Sequence, residues 1–273
     1  MSSSNDPGSS GAATDSSGSE TAPAAPKGAA HHAVSFAKEL LFVVLGAVVI
    51  SSLLRAFVGQ MFIIPSESME NTLLVKDRVV VQKITDIKRG EIVVFADPGG
   101  WLPEAPVTAA KPLDNVLEFI GVPTTSTPGH LIKRVIGMPG DTVVCCDADG
   151  RLTVNGDALD ETSYLYTNPD GTQVAPSVVR FRVVVPRGRI FVMGDHRDDS
   201  LDSRCHLSDF SASEPQGYVA FVPEDLVVGP AFAIAAPFDR NRRLTVPATF
   251  TSVPPPAAPA PDTPTISPAG VRC

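Results

Sequence analysis

Hydrophobic and polar positions divide the chain into three regimes. The first is a single long apolar stretch: Leu40 to Leu54, fifteen residues, carries no charge and is bracketed by Lys38-Glu39 and Arg55. As a helix those residues cover only about 22 Å, short of the ~30 Å hydrocarbon core of a bilayer. Taking residues 34–58, with Lys38 and Arg55 reaching back to the two interfaces, gives about 37 Å, enough to span with tilt. The pattern therefore predicts one N-terminal transmembrane helix over 34–58. A cleaved leader peptide fits less well, because a long polar segment precedes the stretch and no small-x-small site follows it cleanly.

The second regime begins near residue 59. No helical period of useful length appears there, and short Val/Ile-rich runs alternate with turn signals. Arg78 to Gln82, Glu91 to Phe95, His130 to Ile136, Thr142 to Cys146, Arg151 to Val154, Phe181 to Val185, Ile190 to Met193 and Tyr218 to Phe221 read as strands. Asp149-Gly150 and Asn155-Gly156 supply tight turns. Residues 59–246 are thus expected to form one β-rich domain. A Pro/Gly-rich insertion at 97–129 interrupts it, with one short amphipathic stretch near Val116 to Ile120.

The third regime is the two ends. Residues 1–33 are Ser, Gly, Ala, Pro and Thr with scattered charge, and residues 247–273 repeat Ala-Pro pairs around Pro254-Pro255-Pro256. Neither can bury enough apolar surface to offset its ordering entropy, so both are expected to be disordered.

Charge and cysteine content narrow the function. A net charge of −8 with no Lys/Arg stripe excludes a nucleic-acid partner. The four cysteines lack zinc spacing, and there is no His-Glu-x-x-His, so neither a metal nor another cofactor is expected. If the domain lies outside the cytoplasm, Cys205 can pair with Cys145 or Cys146. Strand alternation would let only one of those neighbours face it. Asp147-x-Asp149-Gly150 begins like a calcium loop but lacks the later ligands, and reads as a hairpin turn.

Among nucleophiles, Ser66 and Ser68 follow the apolar segment directly. His31 and His32 lie in the leader, and His130, His196 and His206 have no partner Asp at a recognisable spacing, although a triad is spatial. A lysine can replace histidine as base if burial lowers its pKa. In Leu131-Ile132-Lys133-Arg134-Val135-Ile136, Lys133 shares a strand face with Leu131 and Val135, an apolar setting of that kind. Ser35-x-x-Lys38 has the spacing of penicillin-binding enzymes, but their companion motifs are missing.

Four segments, in order, resemble the boxes of bacterial type I signal peptidases. They are Pro65-Ser66-Glu67-Ser68-Met69 with Thr72-Leu73, Val75 to Val79, Lys133 to Asp141, and Gly194 to Arg204. The resemblance implies an all-β catalytic domain of two antiparallel sheet regions behind the transmembrane helix. It implies Ser68 as nucleophile, Lys133 as general base, Ser66 as an oxyanion donor and Ser200 as the residue orienting the lysine. Asp202 and Arg204 would be a supporting salt-bridged pair. It also implies a monomeric enzyme of the plasma membrane, N-terminus cytoplasmic and domain outside. Its partners would be lipid and exported preproteins, cut after a small-x-small site. Asn71 stands where that family usually has Pro, and His196 where it usually has Asn. Two other readings stay open: a self-cleaving Ser–Lys repressor-type peptidase, and a non-enzymatic anchored surface module.

Overall fold

The computed structural model describes residues 27–57, 59–103, 129–211 and 214–268. The leader before residue 27 and most of the 97–129 insertion, including Val116 to Ile120, lie outside the described residues. Helix α1 runs from Lys27–Phe57. Its side chains are described from Phe36 to Ser51, so both ends of the expected 34–58 span lie outside them. Among the described residues no helix is long and apolar enough to cross a membrane. Leu40, Leu41, Phe42, Val43, Val44 and Leu45 on α1 are all exposed.

The remainder is β structure. Strands β1 (Gly59–Ile63), β2 (Arg78–Gln82), β3 (Ile92–Ala96) and β4 (His130–Gly137) precede β5 (Thr142–Cys145), β6 (Leu152–Val154) and β7 (Asp157–Ala158). After them come β8 (Phe181–Val184), β9 (Arg189–Met193), β10 (Val222–Pro223), β11 (Val227–Ala236), β12 (Arg242–Arg243) and β13 (Thr265–Ser267). One sheet has the order β1-β2-β11-β3-β4-β9-β10, with β12 on β11, and the other the order β13-β8-β5-β6-β7. Every described pairing is antiparallel.

Strands β1, β7, β10, β11, β12 and β13 escape the sequence pattern, and the two longest of them, β1 and β11, do so for physical reasons. β1 merges with the end of the apolar helical run. β11 contains Gly229-Pro230, which reads as a break. Here the break is a crossing point: up to Pro230 the strand pairs with β3, and from Ala231 with β2. Gly229 has φ 150°, and a Cβ there would overlap the Gln82 carbonyl, so only glycine fits the crossing. In the other direction, Tyr218–Ala220 is a 3-10 turn rather than a strand, entered through left-handed Gly217 at φ 72°. Three residues with a buried Val219 and Ala220 satisfy either pattern.

Side chains alternate across β3 and β4 into different cores. Val93, Phe95 and Val135 pack with Trp101, Ile190, Val192 and Val222. Ile92, Val94 and Ile132 pack with Phe62, Ile64, Met69, Leu73 and the inward face of β2. The third core lies under the second sheet and includes Phe250 and Val253.

Those last two residues correct the expectation of a disordered tail. Residues 247–268 are held at a few points along a largely exposed course: Phe250 and Val253 are buried, Phe250 at 5% exposure, and β13 pairs with β8 from Thr265 to Ser267. A Cβ on Gly90 would stand 2.5 Å from the Phe250 ring, which shows how closely that ring seats. A Pro-rich segment has little entropy to lose on ordering, so a few apolar anchors hold it.

The pairing of Cys205 with Cys145 or Cys146, open in the sequence, does not form. Cys145 is bonded to Cys146, so neither is available to Cys205, which is disulfide-bonded elsewhere. β5 ends at Cys145, so the opposite-face rule for neighbours on a strand does not govern Cys146.

Candidate active site

Ser68 lies in the turn that follows β1. Glu70 N–H donates to Glu67 O at 2.8 Å and Leu73 N–H to Met69 O at 2.8 Å. Met69 and Leu73, one turn apart, are fully buried. With both residues in the core, the turn cannot slide, and Ser68 is held 5% exposed. Ser66 is exposed, and its Oγ lies 3.4 Å from Ser68 Oγ.

Lys133 reaches this turn from β4. It pairs with Val93 across the ladder and shares the face of Leu131 and Val135, as alternation requires. Its side chain is 4% exposed, and Nζ is hydrogen-bonded to Ser68 Oγ. Burial pushes its pKa down from 10.5 to about 8, and Arg204 adds to the shift. Asp202, Asp195 and Asp199 act in the opposite direction but lose to desolvation. At pH 7 about a tenth of such lysines is neutral, against ~0.03% for an unperturbed one.

Asp202 is fully buried and accepts from Gly194 N–H (2.9 Å), Ser200 Oγ (2.8 Å), and Arg204 Nε and Nη2 (2.8 Å each). Burial raises its pKa, but the Arg204 charge and these bonds outweigh it and hold the carboxyl below its usual value. All six residues singled out in the sequence therefore converge on one place. Ser200 joins it differently from expectation: its described bond runs to Asp202, the carboxylate that acts on Lys133.

Sequence reasoning missed the buried charges around this centre. Arg134, pointing away from Lys133, donates to Asp195 at 2.8 and 2.6 Å and to Gly90 O at 2.7 Å. Thr72 Oγ1 donates to the same carboxylate at 2.5 Å. Arg197 pairs with Glu161 at 2.5 Å, and Tyr164 donates its hydroxyl to Glu161 at 2.7 Å. Burial first, then Glu161, raises the Tyr164 pKa well above its usual value. Glu161 and Tyr164 lie outside the four boxes and carry no local pattern. The only available signal was a run of charges in the last box too long for a solvated loop.

Both departures from the family pattern have visible environments. Asn71 has φ 77° and donates Nδ2–H to Leu165 O at 3.0 Å. Proline cannot reach that φ. His196 stacks on Tyr166 at 3.8 Å and lies 3.3 Å from Glu70 and 3.4 Å from Asp198, while its backbone N–H donates to Ser68 O at 3.1 Å. His206 does find an acid, Asp209, at 2.7 Å, but no described hydrogen bond links either to Ser68.

A partly neutral amine bonded to a buried serine hydroxyl can accept its proton, which makes the hydroxyl a nucleophile. Beside it, over Leu131 to Lys133, β4 is paired with β3 alone among the described residues, because the β9 ladder starts at Arg134. Two cavities of about 720 and 1000 Å³ are lined by other residues. The geometry thus offers an open strand edge beside Ser68 and Lys133 among the described residues.

Comparison with known proteins gives the same direction. The family model described as "Signal peptidase, peptidase S26" matches residues 37–236. Signal peptidase I of Mycobacterium tuberculosis (strain ATCC 25618 / H37Rv) is 36% identical over 215 residues, covering 71% of this chain and 70% of that protein. The probable signal peptidase I-2 of Synechocystis sp. (strain ATCC 27184 / PCC 6803 / Kazusa) is 34% identical over 203 residues, covering 73% of each. Signal peptidase I of Leptolyngbya laminosa is 31% identical over 241 residues, covering 87% of this chain and 98% of that one. With the family model spanning most of its length, the chain belongs to the signal peptidase family, peptidase S26.

Proposed function

We propose that this protein is a serine endopeptidase that removes N-terminal signal peptides from exported preproteins after a small-x-small site, using Ser68 and Lys133. The observation that carries the proposal is the bond between buried Lys133 Nζ and Ser68 Oγ, with the lysine pKa lowered to about 8. Neutral Lys133 takes the Ser68 hydroxyl proton as Oγ attacks the scissile carbonyl carbon. The Ser66 hydroxyl and the Ser68 backbone N–H stabilise the oxyanion, each contributing a few kcal/mol. As the C–N bond breaks, the Lys133 ammonium returns its proton to the leaving amine and acyl-Ser68 remains. Water then attacks the acyl carbonyl, giving its proton to Lys133, which passes it back to Ser68 Oγ as the acid leaves.

Asp202, braced by Arg204 and Ser200, keeps the lysine aimed, while burial keeps enough of the amine neutral to take the serine proton. The substrate adds as a strand beside Leu131 to Lys133, where main-chain bonds align it and shallow apolar pockets take the small side chains. The protein acts as a monomer without metal or other cofactor. The apolar segment at 34–58 anchors it once in the plasma membrane, leader inside and β domain outside. The exposed Leu40 to Leu45 on α1 support that contact with lipid.

The test is preprotein cleavage by the full chain in detergent. Ser68→Ala and Lys133→Ala, both folded, should lose cleavage. A fully active Lys133→Ala would refute the dyad. Labelling a cysteine introduced at Asn5 in intact cells tests the topology: reaction with an impermeant reagent would place the leader outside.

A further inference from the structure

The backbone of Ser68 is seated against a turn, Gly194 to His196. A Cβ on Gly194 would stand 2.5 Å from Ser68 O and 2.6 Å from Ser200 Cβ, so the two backbones are in direct contact. Two residues on, His196 N–H donates to the same Ser68 carbonyl at 3.1 Å. The nucleophile therefore stands where this turn puts it.

The Gly194 residue is gripped on both its polar groups. Its N–H donates to Asp202 Oδ2 at 2.9 Å, and its carbonyl accepts from Arg197 Nε at 2.9 Å. The Arg197 side chain is 1% exposed and could not hold that direction unaided. Glu161, itself 3% exposed, receives both its terminal nitrogens at 3.2 and 2.5 Å. Pro176 O takes a further bond at 2.7 Å. The Tyr164 hydroxyl donates to Glu161 Oε1 at 2.7 Å, and its ring lies under Arg134 at 4.4 Å. Asn71 and Tyr166 N–H tie the same stretch to the nucleophile loop and to Asp195 O, at 3.0 and 3.2 Å.

We propose that Glu161 is a positioning residue for Ser68, acting through Arg197 and the Gly194 carbonyl. This rests on the Ser68–Lys133 reading above and adds a determinant outside the four boxes. A buried ion pair of this type adds little net stability. What it supplies is direction: it fixes a guanidinium whose Nε–H sets the turn against which the nucleophile rests. Misplacing a reacting group by about 1 Å costs on the order of a hundredfold in rate.

The experiment compares Glu161→Gln, Arg197→Lys and Tyr164→Phe in the full chain in detergent, well below each variant's Tm. Arg197→Lys keeps the charge opposite Glu161 but has no Nε–H for Gly194, which separates aim from stability. Tyr164→Phe removes only one bond to Glu161 and covers the case in which Glu161→Gln does not fold. For Arg197→Lys, kcat on a small-x-small preprotein should fall roughly ten- to a hundredfold with KM within about twofold. Tyr164→Phe should fall by less. In parallel, the His196 amide should exchange its hydrogen about tenfold faster in Arg197→Lys, while the Val135 amide, bonded to Glu91 O at 2.8 Å, keeps its rate. A lowered Tm with unchanged kcat and His196 exchange would overturn the proposal and leave the pair purely structural. Should the wild type cleave no preprotein, the functional reading fails separately, and the exchange rates alone decide the positioning.

Discussion

Lys133 costs the fold stability for as long as it is charged and buried, and the size of that cost follows from its pKa. Its folded pKa is about 8 against 10.5 in the unfolded chain. A depressed lysine pKa means that the unfolded state binds more protons between those values, so stability rises with pH across that window. Integrated over the window, the penalty is about 3 kcal/mol at pH 7, about 2 at pH 9 and about 1 at pH 10. Lys133→Met keeps the length and apolar stem and removes the charge, while Asp202 retains Arg204 as its partner. The variant should therefore be inactive yet more stable than the wild type by about 3 kcal/mol at pH 7, the gap closing as pH rises. Urea unfolding monitored by circular dichroism at pH 7, 9 and 10 measures it. A variant less stable at pH 7, or a gap that does not move with pH, would refute the claim that the charged amine is buried at a cost.

Asn71→Gly keeps φ 77° accessible and should retain most cleavage, whereas Asn71→Pro should fall below about a tenth; equal activities would show that the turn is not left-handed. Gly194→Ala drives a methyl against Ser68 O and Ser200, so cleavage should drop more than about a hundredfold with the far-ultraviolet spectrum intact. Near wild-type activity would mean that the contact is loose. Phe250→Ala empties a site 5% exposed and should cost about 3–5 kcal/mol, lowering Tm by roughly 10 °C. A shift under about 2 °C would mean that the C-terminal segment is not part of the core.

Most of the site could be read from the sequence because its chemistry is local in the chain. Ser66 and Ser68 share one turn, Ser200, Asp202 and Arg204 share another, and strand alternation alone puts Lys133 on a different face from Arg134. The partners of those residues could not be read the same way. Arg134 and Asp195 lie 61 residues apart, and Arg197 and Glu161 36 apart. The first pair meets because β4 lies beside β9 in one sheet, and the second joins the segment after β7 of the other sheet to the turn after β9. The fold showed the same division. Strands bounded by turn residues, such as β2 and β4, stood out, whereas β11 was hidden by the Gly-Pro pair that lets it change neighbours. The tail misled in the opposite sense, because its composition reports low entropy as readily as disorder. Phe250, Val253 and Ile266 are too sparse to give a period.

The most direct test of Ser68–Lys133 chemistry is the pH dependence of kcat/KM for preprotein cleavage by the full chain in detergent. A neutral-lysine base predicts a single limb rising tenfold per unit and levelling off near pH 8, where Lys133 loses its proton. A limb centred near 6.5, the range of histidine, or a rate flat from pH 6 to 10 would contradict it.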